Sequence, residues 1–126
     1  MRVRAALFTD VARPMEVAEI ELEAPGPQDV LVRMAAVGVC GSDLHVLRGE
    51  WARPTPMVLG HEGSGIVEAV GAGVTNVAPG DRVIVHWAPS CGKCAACLRG
   101  RPATCAYLRA AIAAGTLEES AAALRA

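Results

Sequence analysis

The chain has 126 residues and a net charge of −1, which points to one domain with a modest core and gives no electrostatic footprint for a nucleic-acid or membrane-surface partner. Hydrophobic residues make up 52 % but aromatics only 3 %, so the predicted core is aliphatic: Val, Ala, Leu and Ile. The sequence shows no basic-then-apolar leader and no apolar run long enough to span a bilayer, so the expectation is a reduced, cytoplasmic location with no membrane partner.

In chain order, residues 2–8 read as a first strand, and the loose alternation of Val17, Ile20 and Leu22 gives a second over residues 15–22. Pro25, Gly26 and Pro27 break the chain. Residues 30–37 form a longer apolar run, predicted as a more buried strand. The segment from Gly38 to His45 follows, with a tight backbone at Gly38 and Gly41 around Cys40. Ser42 or Asp43 is predicted to cap a short helix running to about Arg48, which would put Ser42 and His45 on one side. Pro54 and Pro56 make residues 49–59 a loop. Residues 64–70 read as a strand, residues 71–73 as its turn, residues 79–81 as another turn, and residues 82–85 as the last clear strand. After Cys105 the chain is Ala-rich and helical, with a capping box at Thr116 and Glu119 for a final short helix. Several short strands with punctuating turns predict a mainly β (α+β) fold, a small, partly open β barrel.

Four of the five cysteines crowd into one span, Cys91, Cys94, Cys97 and Cys105, in the pattern Cys-x2-Cys-x2-Cys-x7-Cys. Four thiolates this close suit one tetrahedral zinc with no open position, a structural site. Gly92, Gly100 and Pro102 let the loop fold tightly. Two disulfides are the rival reading, disfavoured by the spacing and by the expected reducing compartment. A redox Cys-x-x-Cys role lacks a thioredoxin-like βαβ pattern around it. A zinc-ribbon nucleic-acid binder would need a basic face, and Arg99, Arg101 and Arg109 do not make one.

A second constellation is Cys40, His61 and Glu62, each in a glycine-rich context. These are residue types that a catalytic zinc takes. Taken alone, the pair is equally well read as a small buried cysteine and a hydrogen-bonded structural histidine. It is not a His-Glu-x-x-His helix, because residue 65 is glycine.

The segment Gly38-Val39-Cys40-Gly41-Ser42-Asp43 with His45, then Gly60-His61-Glu62 with Gly65 and Gly71, then the four-cysteine loop, resembles the N-terminal, GroES-like catalytic domain of zinc-dependent medium-chain alcohol dehydrogenases. The resemblance covers residues 1–117, with a zinc-binding lobe at 88–106, short C-terminal helices, and a divergent helical tail at 118–126. The approach from Trp87 to Cys91 and the segment from Arg99 to Pro102 resemble the branch with benzyl-alcohol and glutathione- or mycothiol-dependent formaldehyde dehydrogenases. The resemblance implies that Cys40 and His61 are catalytic-zinc ligands and that Glu62 is the adjacent acid able to approach or replace a ligand. It makes Ser42 and His45 a proton relay, and Cys91, Cys94, Cys97 and Cys105 the structural-zinc set. The implied reaction is oxidation of a small primary alcohol, or reduction of an aldehyde, with NAD(P). Trp51 and Trp87 border the alcohol pocket or, the favoured reading, pack in the core.

No Gly-x-Gly-x-x-Gly follows a strand, and Gly71-Ala72-Gly73 is not that fingerprint because residue 76 is Asn. The family's Rossmann cofactor domain and its third catalytic-zinc ligand are therefore expected to be absent from this chain. Strands that pair with the missing part would keep open edges. The expectation is an incomplete enzyme with little turnover alone, needing a cofactor-domain protein partner. The alternative is a non-enzymatic, zinc-stabilised protein-interaction module or a truncated remnant.

Overall fold

The computed structural model describes residues 1–88 and 90–114, with residues 111–114 given as helical backbone. The predicted capping box at Thr116 and Glu119 and the tail at 118–126 lie outside the described residues. The chain forms two compact units, one of residues 1–85 and one beginning at His86.

The first unit holds two antiparallel three-stranded sheets. Strands β1 (Arg2–Phe8), β2 (Glu16–Glu21) and β4 (Met57–Val58) form one, in the order β2-β1-β4. Strands β3 (Val30–Gly38), β5 (Glu62–Val70) and β6 (Arg82–Ile84) form the other, in the order β3-β5-β6. Among the described residues no ladder joins the two sheets, so the mainly β fold is a partly open arrangement, as the strand pattern predicts. Helix α1 (Gly41–Leu47) follows β3 directly. No helix among the described residues is long and apolar enough to cross a membrane.

Side-chain alternation explains β5. Gly63, Gly65 and Val67 are buried on one face while their neighbours are more exposed, the period of a strand with one covered side. Its small residues let β3 approach. A Cβ at Gly65 would overlap the Arg33 carbonyl oxygen and lie 2.7 Å from Val32 Cγ1. The register Gly38↔Glu62 places the end of β3 beside the start of β5. That pairing brings the Gly38–His45 segment together with the Gly60–Glu62 segment.

Three expectations need correction. Strand β3 is not a buried strand: Met34 is 46 % and Val37 52 % exposed. Its apolar run pairs along one edge only, with β5, among the described residues. The core is not purely aliphatic, because the single phenylalanine, Phe8, is among the most buried side chains of the first unit, with Val67 beside it in rank. The segment predicted as a loop at 49–59 contains β4, whose Met57 and Val58 pair with Phe8 and Leu7. A two-residue strand behind two prolines carries no periodicity to read.

The second unit contains helix α2 (Ala95–Leu98), a 3-10 turn at Pro102–Thr104, and helix α3 (Ala106–Ala114). Its core is Ala88, Cys105 and Leu108, with Cys91, Cys94 and Cys97 packed against it. A lobe with so few large apolar side chains needs another source of order.

Candidate metal centres

The first centre forms where β3 runs into α1. Gly60 turns the chain into β5 with φ of 121°, a conformation that favours glycine, and so sets where His61 begins. A Cβ at Gly38 would overlap the Glu62 carboxylate, so glycine there leaves room for that side chain. The result is a cluster in which the Cys40 sulfur, a His61 ring nitrogen and a Glu62 carboxylate oxygen all lie within 4.8 Å of one another. Cys40 and His61 are half-buried and Glu62 is exposed.

Cys40, rather than Ser42 or Asp43, occupies the N-cap position of α1. Asp43 sits one turn in and reaches back, its Oδ2 accepting the Cys40 N–H at 2.9 Å. Its other oxygen, Oδ1, lies 3.4 Å from His61 Nδ1. One carboxylate, only 7 % exposed, thus holds the backbone of Cys40 and the ring of His61. Histidines that ligate metals commonly give their second nitrogen to a carboxylate in this way, which fixes the tautomer and leaves the first nitrogen free to coordinate. The Asp43 role was missed by sequence reasoning. Its signal was an acid three residues after the cap, the acidic half of a capping box.

Ser42 Oγ lies 3.2 Å from His61 Nε2. The Cys40 thiol is pulled below its ordinary range, first by the Ser42 side chain, then by the Ser42 amide and His61. Burial and the Glu62 charge push the other way. A thiol held toward its thiolate is the form that binds a metal.

The structure brings Ser42 into the cluster and ties His45 elsewhere. His45 Nδ1 is hydrogen-bonded to the Glu50 carboxylate. Its ring stacks on Trp51 with centroids 4.7 Å apart and planes 23° from parallel. Trp51 is 46 % and Trp87 54 % exposed, so the core-packing reading of both is wrong. Neither Glu50 nor Trp51 was read from sequence as a partner of His45.

The second centre lies within the second unit. The sulfurs of Cys91, Cys94, Cys97 and Cys105 all lie within 4.8 Å of one another. Cys94 and Cys97 are 3.6 Å apart, Cys94 and Cys105 3.9 Å, and Cys105 and Cys91 3.6 Å. All are free thiols, and a disulfide would need about 2.05 Å between sulfurs. The disulfide reading therefore fails. Backbone amides point at the sulfurs: Cys91 N–H donates to Cys105 Sγ at 3.4 Å, and Cys94 N–H to Cys91 Sγ at 3.3 Å.

The shared site splits its thiols. Backbone amides, that of Cys97 foremost, bring Cys94 down to about 6. Burial, then the neighbouring Cys94 and Cys105, push Cys97 up to about 11. Cys105 is lowered, first by the Cys91 amide. Four sulfurs this close cannot all carry charge unaided, and a divalent cation at their centre removes the conflict. The donor set fits a metal.

Gly71 and Gly73 do not form a phosphate loop. The Gly71 N–H donates to the Asp29 carbonyl at 2.9 Å and the Gly73 N–H to the Pro27 carbonyl at 2.7 Å. Both amides are occupied in packing this turn onto the 26–29 segment.

Comparison with known proteins agrees with the mainly β fold. Residues 26–125 match the family model described as the alcohol dehydrogenase GroES-like domain. The NDMA-dependent alcohol dehydrogenase of Amycolatopsis methanolica is 42 % identical over 105 residues, covering 83 % of this chain and 28 % of that protein. The alcohol dehydrogenase zinc-binding domain protein of Burkholderia ambifaria superposes with a TM-score of 0.78 at 40 % identity, covering 87 % of this chain and 30 % of that one. Benzyl alcohol dehydrogenase of Acinetobacter calcoaceticus superposes with a TM-score of 0.76 at 38 % identity, covering 86 % and 30 %. The chain thus spans less than a third of the length of these relatives. It belongs to the alcohol dehydrogenase GroES-like domain family.

Proposed function

We propose that this chain is the alcohol-binding, metal-binding part of a zinc-dependent alcohol dehydrogenase that interconverts small primary alcohols and aldehydes with NAD(P) in the cytoplasm. The observation that carries the reading is the convergence of Cys40, His61 and Glu62 within 4.8 Å, with Ser42 beside them. A purely structural zinc module would need only the four cysteines.

The lobe supports zinc as its metal. Tetrahedral zinc–thiolate bonds of about 2.3 Å place ligand sulfurs about 3.8 Å apart, and the sulfur separations of 3.6, 3.9 and 3.6 Å bracket that value. Cys91, Cys94, Cys97 and Cys105 fill all four positions, so this site would organise the lobe rather than react.

At the first centre, Cys40 and His61 leave coordination positions for a substrate oxygen, with Glu62 at the rim. Zinc held there would act as a Lewis acid and make an alcohol hydroxyl acidic near neutral pH. Ser42 would take the hydroxyl proton, a reading supported by its oxygen lying 3.2 Å from His61 Nε2. His45 would pass that proton toward solvent, being 45 % exposed in its side chain. NAD(P), when bound, supplies the hydride acceptor. Its binding, and a third ligand to the catalytic zinc, would fall to polypeptide other than the described residues, in the same protein or in a cofactor-domain partner.

Cobalt replacement tests the reading. Cobalt at the first centre should give a thiolate charge-transfer band that shifts and saturates on adding benzyl alcohol and disappears in Cys40→Ser. Cobalt confined to the four cysteines, with no response to alcohol, would contradict it.

A further inference from the structure

We infer that Glu50 is a positioning residue that sets the tautomer of His45, placing the proton on Nδ1 and leaving Nε2 as the basic nitrogen. The inference rests on His45 acting as the relay group proposed above, but the geometry behind it does not depend on a metal.

Helix α1 ends at Leu47, and Gly49 follows with φ of 72°, its N–H donating to the Val46 carbonyl at 2.9 Å. That left-handed residue is the usual helix stop and reverses the chain. The reversal brings the next two amides onto the carbonyl of His45 itself: Glu50 N–H at 2.9 Å and Trp51 N–H at 3.2 Å. Glu50 and Trp51 are thereby anchored by their backbones against the residue that their side chains contact.

The two side chains then divide the task. Trp51 stacks on the imidazole face at 4.7 Å and holds the plane of the ring. Glu50 meets its edge at Nδ1. An ionised carboxylate has no hydrogen to give, so Nδ1 must carry the one shared between them. In the neutral ring only one nitrogen carries hydrogen, so Nε2 is left with a lone pair. A relay histidine has to accept a proton before passing one on, and this arrangement makes Nε2 the accepting atom.

Stability does not explain the contact. Both side chains are nearly half exposed, 45 % and 47 %, and exposed ion pairs typically contribute little. What the contact does fix is which ring nitrogen carries hydrogen.

The test is a two-bond proton–nitrogen NMR spectrum of the full chain with nitrogen-labelled histidine, taken where the rings are neutral, with His45 assigned by its loss in His45→Gln. The expected wild-type pattern is Nδ1–H with an unprotonated Nε2. Glu50→Ala should lose that pattern and move toward Nε2–H. Glu50→Gln should keep it, because its amide oxygen still accepts from Nδ1. An Nε2–H pattern in the wild type, or an unchanged pattern in Glu50→Ala, would overturn the inference. Metal binding at Cys40 and His61 is read separately in the same samples by metal analysis, so failure of the tautomer assignment is distinguishable from failure of the alcohol dehydrogenase reading.

Discussion

Replacing Asp43 by asparagine should weaken the first metal centre selectively. The carboxylate makes two contacts, with the Cys40 N–H at 2.9 Å and with His61 Nδ1 at 3.4 Å. Both oxygens face donors. The amide of Asp43→Asn offers one oxygen and one NH2 group, so it cannot keep both contacts as they are whichever way it turns. If the oxygen stays on Cys40, the NH2 group faces Nδ1 and favours the tautomer with hydrogen on Nε2. That is the nitrogen next to Ser42, and with hydrogen on it there is no lone pair for a metal. If the oxygen turns to His61, the NH2 group opposes the Cys40 amide in a site only 7 % exposed. Losing a buried bond to a charged group costs about 1.5–3 kcal/mol, and removing a carboxylate that holds a metal-binding histidine lowers metal affinity about 10–100-fold. The assay is competition with a chromogenic chelator, which resolves the two centres as separate steps. Asp81→Asn is the control, since Asp81 Oδ2 likewise accepts a backbone N–H, that of Ala78, at 2.8 Å in a turn. The expected result is a weaker first step in Asp43→Asn with the four-cysteine step unchanged. Wild-type affinity in both steps would mean that Asp43 does not hold the ligands of the first centre.

Further predictions concern packing, protons and the metal. Gly71→Ala should cost about 1–3 kcal/mol in urea unfolding, the usual range for overpacking, because its Cβ would overlap the Gly26 carbonyl oxygen, whereas Gly41→Ala meets nothing within 4 Å and should not destabilise. Zinc capture by the four cysteines should release protons, measured by calorimetry in buffers of different ionisation enthalpy. Cys97, pushed up to about 11, keeps its proton through the neutral range, while Cys94, at about 6, is largely ionised there. Protons and zinc compete for the same sulfurs, so affinity should rise with pH, about tenfold per unit for each proton released, and fall more steeply below about 6 as Cys94 also protonates. Chelation should abolish hydrogen-exchange protection in α2 and around Cys105 while leaving the β3–β5 ladder protected, because the lobe's own apolar core is small.

What the sequence made legible depended on distance along the chain. Cys91, Cys94, Cys97 and Cys105 lie close enough for spacing alone to show a metal site, and their sulfurs do converge. Strand β2 followed from its loose apolar alternation, β1 from its short apolar run, and β5 from small and branched residues closed by a turn. Cys40 and His61 are 21 residues apart, and only the β3–β5 register brings them together, so spacing left their pairing open and a family resemblance was needed to raise it. Asp43 and Glu50 were missed as partners because each acts through a backbone reversal, the start of α1 in one case and the Gly49 stop in the other. Both are short local devices with ordinary residues. The exposure of β3, Trp51 and Trp87 was misread because an apolar residue type states a preference for burial, while coverage depends on which elements happen to lie over it.

Native mass spectrometry of the zinc-loaded chain decides whether Cys40 and His61 form a metal centre separate from that of the four cysteines. Two zincs per chain are expected, one lost in Cys40→Ser or His61→Ala and the other lost in Cys94→Ser. A single zinc that survives Cys40→Ser and disappears with Cys94→Ser would contradict it, leaving a structural lobe without a catalytic metal site.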